Sequence, residues 1–415
     1  AVFARELLQT RVRSLDLNVP LESAHNPLFL AILNIEVTTT KDHNMASVPR
    51  WVKRAAHNLD NQFDKVAEKL HRLSGDNSRI HITPYMGYGN REKVHLRGRA
   101  FRRYNVPFAT ETDSRWMNLR NLVRRFVTHE FANASVRIDY AGETYETTTD
   151  DEGYIHLTVE PPEAAETFTD ATYTLQVAAA DRQHTAPVLV VPDNASFAVI
   201  SDIDDTILQT EVTKLLNMIR NTLFHNALTR MPLPGVAAFY RALQRGTTED
   251  GFNPVYYVSN GVWNMHDLLT HFFQIRGIPR GPLFLRDAGI TEDIFGVDVD
   301  HKINAIRHLM TLHPDLPFIL IGDSGEKDAM IYAEVVREFP GRIPAVYIRD
   351  VDPEGQGSKR DFRVLALVDE LKNYGTDILL ISDTIAAAKD AIARGYLPPE
   401  SLPAIVEATE RDIIG

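Results

Sequence analysis

The chain contains no cysteine. Disulfides, thiolate nucleophiles and cysteine-ligated zinc are therefore excluded, although the absence is compatible with either redox compartment. No apolar run reaches the roughly 18–20 residues that a membrane-spanning helix needs. Arg5 and Glu6 interrupt the first apolar stretch, which argues against a secretory leader. The chain begins at Ala1 rather than Met, so a removed leader stays open. Positive charge is in deficit. The formal net charge is -12 over 415 residues, whereas a bulk binder of nucleic acid would be basic, so no nucleic-acid partner is expected. Internal repeats and low-complexity tracts are also lacking. What the chain does have is 44% hydrophobic residues, enough for two or three domains that each bury a core.

The hydrophobic period changes three times along the chain. Residues 1–30 carry only short apolar clusters and read as an arm. From about Pro49, Val52, Ala56, Leu59, Phe63, Val66, Leu70 and Leu73 recur at alternating spacings of four and three. That predicts an amphipathic helix packed on its own protein, ended by Ser74-Gly75, within an N-terminal segment 1–78. The period then becomes two. Val136, Ile138 and Tyr140 alternate with polar residues, as do Ile155, Leu157 and Val159, and Tyr173, Leu175 and Val177. Turn residues between them predict a small antiparallel β-sandwich over 79–192. Asp150, Asp151 and Glu152 read as a solvated turn in preference to a calcium site, because no full ligand series follows.

Pro192-Asp193-Asn194 reads as a linker. Beyond it, Phe197–Ser201, Val255–Val258 and Phe318–Ile321 are nearly continuous apolar runs separated by amphipathic stretches. Buried parallel strands have this composition, so residues 195–350 are expected to form an open parallel α/β sheet flanked by helices. Ile378 to Ser382 followed by Thr384 to Ala393 reads as a strand and helix, making 351–415 an extension of that domain.

Chemistry concentrates at the ends of these runs. The first passes directly into Asp202-Ile203-Asp204-Asp205-Thr206. Ligands bind at the carboxyl ends of strands in open α/β sheets. Phosphoryl transfer to a carboxylate needs an anionic nucleophile, a metal to offset repulsion between anions, and an acid for the leaving alcohol. Asp202 suits the first role and Asp204 the last. Alone, D-x-D-x-T is a weak signal. It is joined, in order, by Ser259 at the end of an apolar run, by Lys302, and by Asp323 and Asp328 around a Gly-rich turn. Ser259 can hydrogen-bond a phosphoryl oxygen, with Thr206 and Asn260 beside it as further substrate contacts. Lys302 can neutralise phosphate charge. Asp202, Asp204 and Asp323 suit a hard cation, and Asp328 would orient Lys302 or the metal shell.

This order resembles that of the haloacid-dehalogenase-like phosphatases. Ser201–Ile207, Ser259 with Trp263-Asn264, Gly281–Asp287, His301-Lys302 and Pro317–Gly325 resemble more closely the phosphatidate phosphatases typified by the yeast actin-patch protein, in their bacterial form. The likeness extends weakly to Pro84–Gly89 and Leu96–Arg99. It departs at Asn260-Gly261-Val262, where a Ser-Pro-like stretch is expected. The resemblance implies Mg2+, an aspartyl-phosphate intermediate and a phosphatidate substrate. The residues themselves indicate only a phosphoryl-transfer site. Two other readings stand beside it: the same chemistry on a sugar, nucleotide or protein phosphate, and a scaffold without turnover. The intact Asp202, Asp204, Lys302 and Asp323 argue against the scaffold.

Two basic segments bear on the substrate. Val212, Leu215, Leu216, Ile219 and Leu223 share one face of a short insertion, with Lys214 and Arg220 elsewhere; the segment reads as a cap helix, with lipid contact as the alternative. Arg91, Lys93, Arg97, Arg99, Arg102 and Arg103 read as a solvated strand face, with anionic headgroups as the alternative. The resulting expectation is a cytoplasmic enzyme, peripheral at a membrane surface if either segment meets lipid.

Overall fold

The computed structural model describes residues 79–103, 129–162, 166–176, 183–203, 233–248, 250–286, 299–324, 327–350 and 359–414, all within one compact unit, Ser74–Gly415. The arm, the helix expected from Pro49 to Leu73 and the insertion at 212–230 lie outside the described residues.

The first sheet holds β1 (Arg79–Gly89), β2 (Val94–Arg103), β3 (His129–Glu130), β4 (Ser135–Tyr140), β5 (Glu143–Thr148), β6 (Tyr154–Val159), β7 (Phe168–Leu175) and β8 (Gln183–Val190). Their order is β3-β2-β1-β8-β7-β4-β5, with β6 paired to β2. The expectation of an antiparallel sandwich needs one correction. β1 and β8 run parallel, with Gly87 opposite Val188 and Gly89 opposite Val190. Alternation of apolar and polar residues is the same for either strand direction, so it could not reveal this pairing. The sheet is one continuous path folded over on itself, because Leu96 of β2, Ile138 of β4, Ile155 of β6 and Tyr173 of β7 share one apolar cluster. In the turn before β6, Asp150 Oδ1 accepts the backbone N–H groups of Glu152 at 3.0 Å and Tyr154 at 2.8 Å. That carboxylate is closing an Asx-type turn.

The second sheet is wholly parallel. Its strands are β9 (Ala198–Ser201), β10 (Val255–Val262), β11 (Leu283–Arg286), β12 (Phe318–Asp323), β13 (Ala345–Arg349) and β14 (Asp377–Ile381), in the order β11-β10-β9-β12-β13-β14. Both faces are apolar, as parallel strands require. Val199, Tyr257, Ile319 and Tyr347 face one cluster with α1 (Val236–Arg245), α2 (His266–Arg276), α6 (Thr384–Ala393) and α7 (Ser401–Ile414). Ile200, Tyr256, Leu320 and Val346 face the other, with α3 (Val299–Leu312), α4 (Asp328–Glu338) and α5 (Lys359–Lys372).

That second cluster also contains Tyr88, Leu189 and Val191 from the end of the first sheet, so the two sheets share a core. The seam is polar at its rim. Tyr88 Oη lies 2.9 Å from His308 Nε2, and Asn90 Nδ2 donates to Leu312 O at 2.7 Å. The seam also corrects the reading of the basic segment. Arg91 and Lys93 are exposed, but Arg97 and Arg99 are only 8% and 9% exposed. They are neither a solvated face nor a headgroup site. Period two puts Leu96, Gly98 and Ala100 on the inner side of β2, so Arg97 and Arg99 fall on the other side, which the parallel-sheet domain covers.

Buried histidines make this region sensitive to acid. His313 sits 2.8 Å from Tyr256 Oη, and burial, aided by the charges of His308, Arg342 and His95, lowers its pKa from 6.5 to about 4. The unfolded chain therefore takes up a proton between pH 6.5 and about 4 that the folded chain does not, and stability is lost as pH falls through that window. The melting temperature of the full chain should decline over this range. His313→Gln should melt lower than wild type at neutral pH but decline less steeply. Parallel slopes for the two proteins, followed by circular dichroism, would refute the assignment.

Candidate active site

The order of the parallel sheet reverses at one place. β10 and β11 lie to one side of β9, and β12 to β14 lie to the other. A crevice opens at such a switch point, at the carboxyl ends of the two central strands. The candidate acids are there. Asp202 directly follows β9, and its N–H donates to Ile321 O of β12 at 2.9 Å, extending the ladder by one step. Asp323 is the last residue of β12. Lys302 comes from the first turn of α3, and Asp328 opens α4.

Four side chains from these elements meet. Lys302 Nζ lies 2.8 Å from Asp202 Oδ1 and 2.7 Å from Asp328 Oδ1. Asp328 Oδ2 accepts the backbone N–H of Asp323 at 3.3 Å. Carboxylate oxygens of Asp202, Asp323 and Asp328 all lie within 4.8 Å of one another. None of the four residues is more than 1% exposed. Three carboxylates facing one ammonium leave a formal charge of -2 in a buried space. Uncompensated charge is costly there, so the cluster favours a hard cation. Asp328 is engaged by both Lys302 and the Asp323 amide, so its geometry is that of an orienting group.

Ser259 and Asn260 lie on β10, beyond the point where Tyr257 pairs with Ser201. They thus share the carboxyl edge with Asp202. Ser259 is buried, and its Oγ accepts the N–H of Gly261 at 2.9 Å. Asn260 O accepts Arg286 Nε at 2.8 Å. Asp204 and Thr206 lie outside the described residues.

Two supporting groups escaped the sequence reading. Arg286 ends the apolar strand β11 and is buried. The same signal that marked Ser259 and Asp323, a polar residue closing an apolar run, would have found it. Tyr240 Oη lies 2.8 Å from Ser201 Oγ, which donates to Asp202 O at 2.6 Å. Tyr240 belongs to a distant amphipathic helix, and nothing local marks it.

Gly322 is required by this packing. A Cβ built there would lie 2.5 Å from Asp328 Oδ2 and 2.8 Å from Tyr332 Cε2. Gly322→Ala should therefore displace Asp328 from Lys302. We expect a stability loss of about 1–3 kcal/mol, the usual cost of overpacking, with activity falling further than stability. Urea titration read beside a phosphatase assay tests this; wild-type values for both would show that the site does not depend on this contact.

Residues 197–350 match the family described as "Phosphatidate phosphatase APP1, catalytic domain". Phosphatidate phosphatase APP1 of Saccharomyces cerevisiae is 35% identical over 154 residues, 36% of this chain and 25% of that protein. An uncharacterized protein of Schizosaccharomyces pombe is 31% identical over 167 residues, 40% of this chain and 26% of that one. The matched region thus spans about a quarter of the length of these curated relatives. Among solved structures, a carbohydrate acetylesterase from Xanthomonas citri covers 73% of this chain and 69% of its own at 10% identity, with a TM-score of 0.29, too low to carry a likeness of fold. The matched segment contains Asp202, Ser259, Lys302, Asp323 and Asp328. Residues 197–350 are thus similar to the catalytic domain of the APP1-type phosphatidate phosphatases.

Proposed function

We propose that this protein is a Mg2+-dependent phosphatase that uses Asp202 as its nucleophile and hydrolyses phosphatidate to diacylglycerol and phosphate. The observation that carries this reading is the convergence of Asp202, Lys302, Asp323 and Asp328, from four separate elements, in a buried cluster at the switch point of the sheet. The strand order also supports a haloacid-dehalogenase-like fold for 195–350, with 351–415 as its extension, while 79–192 form a sheet of their own that shares a core with it.

The donor set fits a hard divalent cation, being all carboxylate with an excess of negative charge. Asp202 and Asp323, with the backbone carbonyl of Asp204, would hold it. Bound there, Mg2+ would screen the repulsion between carboxylate and phosphate. An oxygen of Asp202 attacks phosphorus as the ester P–O bond breaks. Asp204 passes its proton to the leaving alcohol oxygen. In the second half, Asp204 takes a proton from water as that water attacks the aspartyl phosphate, releasing phosphate and restoring Asp202. Lys302 and Ser259 bind the phosphoryl oxygens, assisted by Thr206 and Asn260, and Asp328 keeps Lys302 in place.

The substrate assignment rests on the likeness to the yeast enzyme. Among the described residues no helix is long and apolar enough to cross a membrane, so contact with lipid would be peripheral. A cytoplasmic location is part of the same proposal. Mixed micelles of phosphatidate should be hydrolysed faster than sugar, nucleotide or aryl phosphates. A clear preference for a soluble ester would move the assignment to that substrate class with the chemistry unchanged.

Asp202→Asn should lower turnover by a factor on the order of 10^4 or more while leaving the fold intact, because an amide cannot attack phosphorus. Near-normal turnover by this variant would end the mechanism. Mg2+ at a hundredfold excess over its Kd should stabilise the wild-type protein by about 2.7 kcal/mol. Asp323→Ala should remove that gain. An equal Mg2+-induced rise in melting temperature for both proteins would place the ion elsewhere.

A further inference from the structure

We propose that strands β1 and β2 position the substrate-binding loop: Tyr85, Arg97 and Arg99 hold Trp263 and Asn264, and through them the strand end that carries Ser259 and Asn260. The inference rests on the phosphatase reading of the site.

Trp263 and Asn264 form the start of a single 3-10 turn, Trp263–Met265, that follows β10 without a break. Their partners come from the other sheet. Tyr85 of β1 stacks on the Trp263 ring, with centroids 4.2 Å apart and planes 15° from parallel. The Arg97 guanidinium stands 5.4 Å from the Trp263 ring, 4.5 Å from Tyr88 and 4.8 Å from Phe284. Arg97 Nη2 donates to Leu283 O, at the start of β11, at 3.1 Å. Arg99 Nη1 donates to Asn264 Oδ1 at 3.2 Å, while Arg99 Nε donates to Glu152 O at 3.1 Å. The phosphate-binding end of β10 is thus gripped from outside its own sheet.

Ordinary packing would not call for arginine here. Burial pulls the Arg97 pKa below its usual value, and the groups that oppose this are the tyrosines Tyr88, Tyr173 and Tyr85. An apolar side chain would fill a buried seam at lower desolvation cost. What an apolar side chain cannot do is donate to a backbone carbonyl on one strand while lying against aromatic faces from two others. A planar guanidinium does both. Within its own sheet the strand end has the Arg286 contact to Asn260 O and the Gly261 N–H to Ser259 Oγ, whereas Trp263 and Asn264 just beyond it are reached from β1 and β2. A displacement of the order of 1 Å in a substrate-positioning group can cost about a hundredfold in rate. The two arginines are therefore positioning residues. They act on substrate binding through Trp263 and Asn264, and they leave the cluster at Asp202, Lys302 and Asp323 untouched.

The test uses the full chain carrying Trp51→Phe and Trp116→Phe, so that Trp263 is the sole tryptophan emitter. Into it go Arg97→Met, Arg97→Lys and Arg99→Gln, assayed with para-nitrophenyl phosphate and Mg2+. The expected result for Arg97→Met is a shifted Trp263 emission and a KM raised about tenfold or more, with a smaller change in kcat and an unchanged Mg2+-induced rise in melting temperature. Arg97→Lys should restore melting without restoring KM, since an ammonium lacks the fork. Should Arg97→Met fail to fold, Arg99→Gln reads the same contact through Asn264. Unchanged emission and KM in the folded variants would overturn the proposal. So would a loss of the Mg2+ effect in step with KM, which would mark a general structural role. If the parent protein hydrolyses no phosphate ester, the phosphatase reading falls, and the emission shift alone decides whether the clamp exists.

Discussion

The site depends on one buried contact, that of Lys302 with Asp202 and Asp328 at 2.8 and 2.7 Å. Removing such charges from water costs several kcal/mol for each ion, and their attraction offsets this only if the geometry is held closely. Much of the surrounding structure serves that requirement. Asp202 is tied by its N–H to β12, and Asp328 by its second oxygen to the Asp323 amide. Gly322 leaves room for the Asp328 side chain, and Tyr332 Oη, 2.9 Å from Ile321 O, closes the space behind it. The excess negative charge that remains is what a hard cation would offset, so that an anionic phosphate could approach.

The same constraint explains why the chain needs more than its parallel sheet. The acids are fixed by strands β9 and β12, at the centre of that sheet, where both faces are packed. The binding side is fixed differently. Ser259 and Asn260 lie near the end of β10, and Trp263 and Asn264 just beyond it are held by aromatic stacking and guanidinium contacts from the first sheet. A shared apolar cluster, joined by Tyr88, Leu189 and Val191, keeps the two sheets in register while those contacts form. The histidines at its rim, neutral at ordinary pH, let the seam stay polar without adding charge.

The acids of the site were legible because the signal is local. An apolar run that ends abruptly in Asp202 or Asp323 places a carboxylate at a strand end whatever the rest of the chain does. Lys302 and Asp328 were legible by their order along the chain, and the structure brings both within hydrogen-bond distance of one another. The C-terminal strand and helix were legible by period, at Asp377–Ile381 and Thr384–Ala393. Arg97 and Arg99 were misread because alternation separates the two faces of β2 but does not say which face meets water. Tyr240 was missed because its partner Ser201 is 39 residues away.

The sequence by itself determined where the candidate acids sit and the type of sheet, since composition, period and strand-end residues are properties of short segments. Only the tertiary structure decided which strands are neighbours, that β1 runs parallel to β8, and that two apparently solvated arginines are buried against Trp263 and Asn264. The physical reason is that hydrogen-bond pairing and burial depend on what a surface is placed against, and that partner lies up to 222 residues away along the chain.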